Sequence, residues 1–152
     1  MSTSKNMNVE NLLSYMLKKT QHMLRMRMDE ALRSLDLTTP QYSVLAQLEL
    51  NPGISNAALA RSSFITAQTM HGIVSNLEKN NLIKRKSDPQ HGRILCAVLT
   101  THGADLVQQA HTIIRKVETR MTASMTADHQ NLLEKMLTAC FDNLNVKDGE
   151  SR

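Results

Sequence analysis

The sequence predicts a mainly α-helical fold with one small β-hairpin, and three observations carry that expectation. Apolar residues recur at helical spacing, as in Leu12, Leu13, Met16, Leu17, Met23, Leu24, Met28, Ala31, Leu32 and Leu35. Two short strand-like runs, Ile83 to Ser87 and Arg93 to Leu99, flank Asp88-Pro89-Gln90-His91-Gly92, whose Asp, Pro and Gly are turn formers. Aromatic residues make up 3% of the chain while methionine occurs 10 times, so the interior is built from Leu, Ile, Val, Ala and Met rather than from stacked rings.

The elements follow in order from periodicity and punctuation. A long first helix spans 9–35, on an apolar face wider than a single seam. Thr39-Pro40 sets a capping hydroxyl before a proline, and the helix it opens carries Tyr42, Val44, Leu45, Leu48 and Leu50 until Asn51-Pro52-Gly53 breaks it. Ser55 caps a short third helix through Leu59 and Arg61, and Thr66 caps a fourth running to Asn80. In that fourth helix Met70, Ile73, Val74 and Leu77 repeat on one face while Gln68, His71, Gly72 and Ser75 repeat on another, so one face packs and the other is free to read. Asn80-Asn81 supplies a left-handed stop before the hairpin. Thr100 or Thr101 caps a fifth helix with Leu106, Val107, Ala110, Ile113, Ile114, Val117 and Met121. Thr126 or Asp128 opens a sixth with Leu132, Leu133, Met136, Leu137, Cys140, Phe141 and Leu144. Two short helices with a tight turn, then a hairpin, make a winged helix-turn-helix at 39–100, flanked by helices at 9–35 and 101–144 within a single domain of 1–152. The flanking apolar faces exceed what a small lobe covers, which predicts self-association.

Charge locates the function. The chain carries a formal +4, and between Arg61 and Arg93 six cations (Arg61, Lys79, Lys84, Arg85, Lys86, Arg93) meet two anions (Glu78, Asp88), a surplus equal to that of the whole molecule. A basic middle beside a reading helix points to nucleic acid. Cys96 and Cys140 lie far apart in apolar settings, so no disulfide framework is expected, and the absence of a signal peptide or long apolar run predicts a cytoplasmic protein. A phosphate-cradling glycine loop, a nucleophile elbow and paired catalytic carboxylates are all missing, which argues against an enzyme. The six histidines lack paired ligand spacing, so neither metal nor other cofactor is expected, and His22, His102, His111 and His129 read as ordinary surface residues.

Leu82-Ile83-Lys84-Arg85, then Asp88-Pro89-Gln90-His91-Gly92-Arg93, then Leu99-Thr100-Thr101-His102-Gly103, together with Ala67-Gln68-Thr69-Met70 and Leu77-Glu78, resemble the MarR family of bacterial transcription factors. The resemblance implies an obligate homodimer, its first and last two helices intertwined, holding two winged lobes over a palindromic operator as a repressor. It also implies a small apolar, aromatic or anionic effector bound between the dimer helices and the lobe. Within this frame Gln68 and His71 are the base-contact candidates, because an amide in the first turn of a reading helix can pair with the N7 and N6 edge of adenine. Thr66, Thr69, Ser75 and Asn76 are candidates for phosphate contact, which positions without specifying. Arg93 matches the family's minor-groove arginine, Asp88 across the turn would orient it, and Lys84, Arg85, Lys86 and His91 would neutralise phosphate. Two other readings use the same residues: a winged-helix module for protein interaction, and a redox-sensing regulator acting through Cys96.

Overall fold

Hydroxyl caps decide where the helices start. The computed structural model describes residues 12–87, 90, 92 and 95–146. Helix α1 (Leu13–Leu32) tightens into a 3-10 turn at Arg33–Leu35 and is followed by α2 (Thr39–Leu50), α3 (Asn56–Ser62) and α4 (Ala67–Lys79). Strands β1 (Ile83–Ser87) and β2 (Leu95–Leu99) precede α5 (Thr101–Met121) and α6 (Ala127–Asn145). Ser55, Thr66 and Thr126 accept from the amides of Ala58, Thr69 and His129, as the sequence predicts.

The start of α2 differs by one residue from expectation. Thr38, not Thr39, is the cap, because Gln41 stands three positions later and returns its side-chain oxygen to the Thr38 amide at 2.9 Å in a reciprocal capping box. Thr39 is thereby released for another bond. Its amide and hydroxyl both donate to Asp29 Oδ1, at 2.8 and 2.6 Å, tying α2 to α1. For α5 the two candidate caps resolve to Thr100, whose hydroxyl accepts from the Gly103 amide at 2.9 Å.

Three helix ends share one device. Asp36, Phe64 and Asn81 adopt positive φ of 52°, 54° and 59°. In each case the next residue's amide donates five positions back: Leu37 to Leu32, Ile65 to Ala60 and Leu82 to Leu77. These are Schellman closures made without glycine. Asp and Asn tolerate the left-handed region; for phenylalanine it costs about 1–2 kcal/mol.

The hairpin is antiparallel, with Ile83 opposite Leu99, Arg85 opposite Ala97 and Ser87 opposite Leu95. Gly53 donates to the Ala97 carbonyl at 3.1 Å and Ala97 to the Ile54 carbonyl at 3.3 Å, so the α2–α3 loop lies along the other edge of β2. Arg93 and Ile94, expected in the second strand, lie outside the described residues.

The described residues divide into two compact units that meet between Val117 and Glu118, inside α5. In the first unit Leu32, Val44, Leu45, Leu48, Leu59, Met70, Val74, Leu77, Ile83 and Val107 are fully buried, and the half-buried Tyr42 packs against this aliphatic core. In the second, α6 leaves Leu132, Met136, Leu137, Phe141 and Leu144 exposed. No helix among the described residues is long and apolar enough to cross a membrane.

Gly103 is the tightest point of the first unit. A Cβ there would sit 1.9 Å from the Leu82 carbonyl oxygen, whereas one on Gly72 in α4 would meet nothing within 4 Å. Gly103→Ala must therefore shift backbone, and a loss of about 2–3 kcal/mol is expected, lowering the thermal midpoint by roughly 5–10 °C. Gly72→Ala should instead gain up to about 1 kcal/mol. Thermal unfolding followed by circular dichroism checks both, and equal behaviour of the two variants would contradict the close approach at Leu82.

Candidate nucleic-acid interface

Helix α4 buries Met70, Val74 and Leu77, and this orientation turns Gln68, Thr69, His71 and Gly72 outward. Among the described residues the side chains of Gln68 and His71 make no hydrogen bond, so their polar atoms stand open to a partner. Thr66 is committed to its capping role, and its hydroxyl also donates to the Thr69 hydroxyl at 2.9 Å. The open space at Gly72 leaves no packing reason within the chain for a glycine at that position.

The second half of the helix is different. Asn76 Oδ1 accepts from Gln41 Nε2 of α2 at 2.8 Å and from Asn80 Nδ2 at 3.2 Å. Arg85 of β1 donates from Nε to Glu78 Oε2 at 2.7 Å and from a terminal nitrogen to Ser75 Oγ at 3.1 Å. Its side chain is only 20% exposed. Three residues expected at the DNA surface, Ser75, Asn76 and Arg85, are thus joined to the protein's own groups.

Strand alternation separates the remaining cations. Arg85 points toward α4, while Lys84 and Lys86 are exposed on the opposite face, where with Asn81, Thr101 and His102 they line a basic cleft of about 480 Å³. Asp88, His91 and Arg93 lie outside the described residues. Cys96 is buried in β2, a setting in which a thiol is inert, and Cys140 is exposed. No group of three metal-ligating side chains occurs among the described residues.

A second cleft, of about 360 Å³, opens between α1, the start of α2 and the α3–α4 turn. Leu24, Met28, Pro40 and Ile65 give it apolar walls, and Arg25 and Ser63 bring polar groups. The Phe64 ring, 80% exposed, stands at its edge. The hydroxyl oxygen of Ser63 is buried and has no hydrogen-bond partner among the described residues.

His111 is not the ordinary surface residue expected. It is half-buried, with Nδ1 2.8 Å from the Tyr42 hydroxyl and Nε2 2.8 Å from Glu49 Oε2, and the two rings meet edge to face at 5.5 Å. Gln108 also donates to Glu49. These bonds join α5 to α2. The spacing of Tyr42 and Glu49, two turns apart on one helix, held the signal for a polar partner, but nothing in the sequence identified His111 as that partner.

Comparison with known proteins agrees with this geometry. The MarR family model matches residues 35–94. The HTH-type transcriptional repressor Rv2887 of Mycobacterium tuberculosis is 34% identical over 82% of this chain and 90% of its own. The chain belongs to the MarR family. It is a DNA-binding transcriptional regulator. The crystal structure of the same mycobacterial protein with salicylic acid superposes with a TM-score of 0.70, at 33% identity, over 85% of this chain and 96% of that one. The transcriptional repressor CouR bound to a 23-mer DNA duplex superposes with a TM-score of 0.82, at 26% identity, over 91% and 99% of the two chains.

The His111 hydrogen bond, with help from Gln108, holds the Glu49 carboxyl below its ordinary range despite partial desolvation. A depressed carboxylate contributes stability that is complete above its unfolded pKa of about 4.3 and disappears as pH falls through the lower folded value. Glu49→Gln should therefore lower the thermal midpoint at pH 7, and its difference from wild type should close below about pH 4. A difference that stays constant from pH 7 to 3 would assign the loss to packing instead.

Proposed function

We propose that this MarR-family regulator is a cytoplasmic, homodimeric repressor that binds a palindromic operator and whose grip on DNA is modulated by a small effector. The observation that carries the reading is the free first half of α4, with Gln68, Thr69, His71 and Gly72 outward beside a basic hairpin. An α-helix fits the major groove, and an exposed glutamine in its first turn can read adenine bidentately. In this reading 39–100 contacts DNA while 9–35 and 101–144 dimerise. The exposed Leu132, Met136, Leu137, Phe141 and Leu144 of α6 support that division, since apolar area of this kind is removed from water by a second copy. Lys84, Lys86, His91 and Arg93 supply phosphate and minor-groove contacts, with Asp88 orienting Arg93, and the reading contains no catalytic step.

The test is binding to the duplex that the wild-type protein enriches from a randomised pool, followed by fluorescence anisotropy at about 150 mM salt. Gln68→Ala should cost about 1–3 kcal/mol on the enriched duplex and almost nothing on random DNA. Lys84→Ala should weaken both alike. An enriched duplex that lacks two-fold symmetry would count against the homodimer.

The cleft beside Arg25 and Phe64 is the best candidate for the effector, because it pairs a cation and an exposed ring with apolar walls, the complement of a planar aromatic anion. Salicylate is a suitable probe, given the salicylate complex of the mycobacterial relative. It should raise the thermal midpoint by mass action and shift the affinity for the enriched duplex. Phe64→Gly relieves the left-handed backbone, and should be about 1 kcal/mol more stable than wild type while losing the salicylate response. A response preserved in Phe64→Gly would move the effector elsewhere.

A further inference from the structure

We infer that Arg85 is a positioning residue rather than a phosphate contact: through Glu78 and Ser75 it fixes the angle between the wing and the reading helix. The inference rests on the reading of α4 as the element that enters the groove.

The geometry is specific. The Arg85 guanidinium is four-fifths covered and reaches two side chains of α4 at once, Glu78 at 2.7 Å and Ser75 at 3.1 Å. A short, charge-assisted bond plus a second anchor uses the planar fork of arginine, which a point charge cannot reproduce. Exposed ion pairs contribute little; here the Glu78 carboxylate is exposed, but the arginine is mostly covered, carries a second bond to Ser75, and spans two elements rather than one helix face.

The turn it spans needs such a brace. Between Lys79 and Ile83 the chain reverses through Asn81 at φ 59°. A strand of five residues is about 16 Å long, so a swing of about 10° at its base moves its tip by roughly 3 Å. A displacement of that size takes a hydrogen-bonding group out of reach of its partner. Register between wing and reading helix thus depends on whatever holds the base.

Charge leads to the same assignment. Glu78 is an anion on the helix that approaches a polyanion, and its pairing with Arg85 leaves the two with no net charge to offer phosphate. The cations of β1 left for DNA are Lys84 and Lys86, on the other face.

Removal of Glu78 separates the two roles, because electrostatics alone and positioning predict opposite signs. The measurement is anisotropy with the enriched palindromic duplex and with a random duplex, for wild type, Glu78→Ala, Ser75→Ala, Arg85→Ala and the double variant Glu78→Ala/Arg85→Ala. Glu78 is exposed and alanine favours helix, so the Glu78 variant keeps its fold, checked by its thermal midpoint and dimer mass. Positioning predicts that Glu78→Ala binds the enriched duplex about ten-fold more weakly while binding random DNA as well as or better than wild type, with a smaller shift in the same direction for Ser75→Ala. The double variant should be no worse than Arg85→Ala and should keep the wild-type dependence of affinity on salt. Tighter binding of both duplexes by Glu78→Ala, or a salt slope reduced by about one in the double variant, overturns the role and makes Arg85 a phosphate contact. A wild-type protein that enriches no sequence would overturn the reading of α4 itself, and this role with it.

Discussion

The carbonyl of Leu82 is where three elements meet. It accepts from the Thr100 amide at 3.0 Å and from the Thr100 hydroxyl at 3.2 Å, and the first turn of α5 lies so close that position 103 has no room for a side chain. The reading helix ends just before this carbonyl, the wing starts just after it, and α5 starts on top of it. The same Thr100 hydroxyl donates to Asn81 and accepts from Gly103, so one oxygen serves the end of one helix and the start of another. Buried backbone oxygens require partners, and here the partners decide the angle between elements.

Outward from that junction, α4 is held in two ways. Its inner face is held by burial of Met70, Val74 and Leu77, which fixes depth and rotation but resists sliding weakly, since apolar contact is non-directional. Its later half is held by directional bonds, from Gln41 to Asn76 and from Arg85 to Glu78 and Ser75. The first half has no such bonds among the described residues. A helix bonded to its neighbours at one end, and among the described residues to no other element at its opposite end, leaves Gln68 and His71 without competition from the protein's own acceptors.

Much of this was legible in the sequence because it rests on local rules. The caps at Ser55, Thr66 and Thr126 follow from a hydroxyl before a periodic run, and the left-handed stop at Asn81 follows from an asparagine pair before a strand. The inward face of α4 follows from period alone. Most of what escaped is non-local, the exception being the Thr38–Gln41 box, a pair only three residues apart. Thr39 read as a cap because Pro40 follows it, and only Gln41 completing a box with Thr38 and Asp29 arriving from α1 reassign it. Ser75, Asn76 and Arg85 read as DNA contacts because they are polar on a reading surface, yet their partners lie four to 35 positions away in sequence. Phe64 at positive φ could not be foreseen, since composition argues for glycine there.

Those non-local bonds converge on α2. Its first turn is gripped by Asp29 through Thr39, and its Gln41 reaches α4. Tyr42 and Glu49, farther along, hold His111 of α5 between them. Asp29 is itself a depressed carboxylate, with the two Thr39 bonds and Arg25 outweighing desolvation, so it stays charged and keeps its hold throughout the neutral range. Thr39 and Gln41 are two residues apart on one helix, so the bond to α1 and the bond to Asn76 of α4 are made from the same turn of α2. The cleft at Arg25 is lined by both α1 and the first turn of α2. Under the proposed reading, a ligand that spread or closed it would act at one end of α2, whose Gln41 is bonded to Asn76 in the later half of α4.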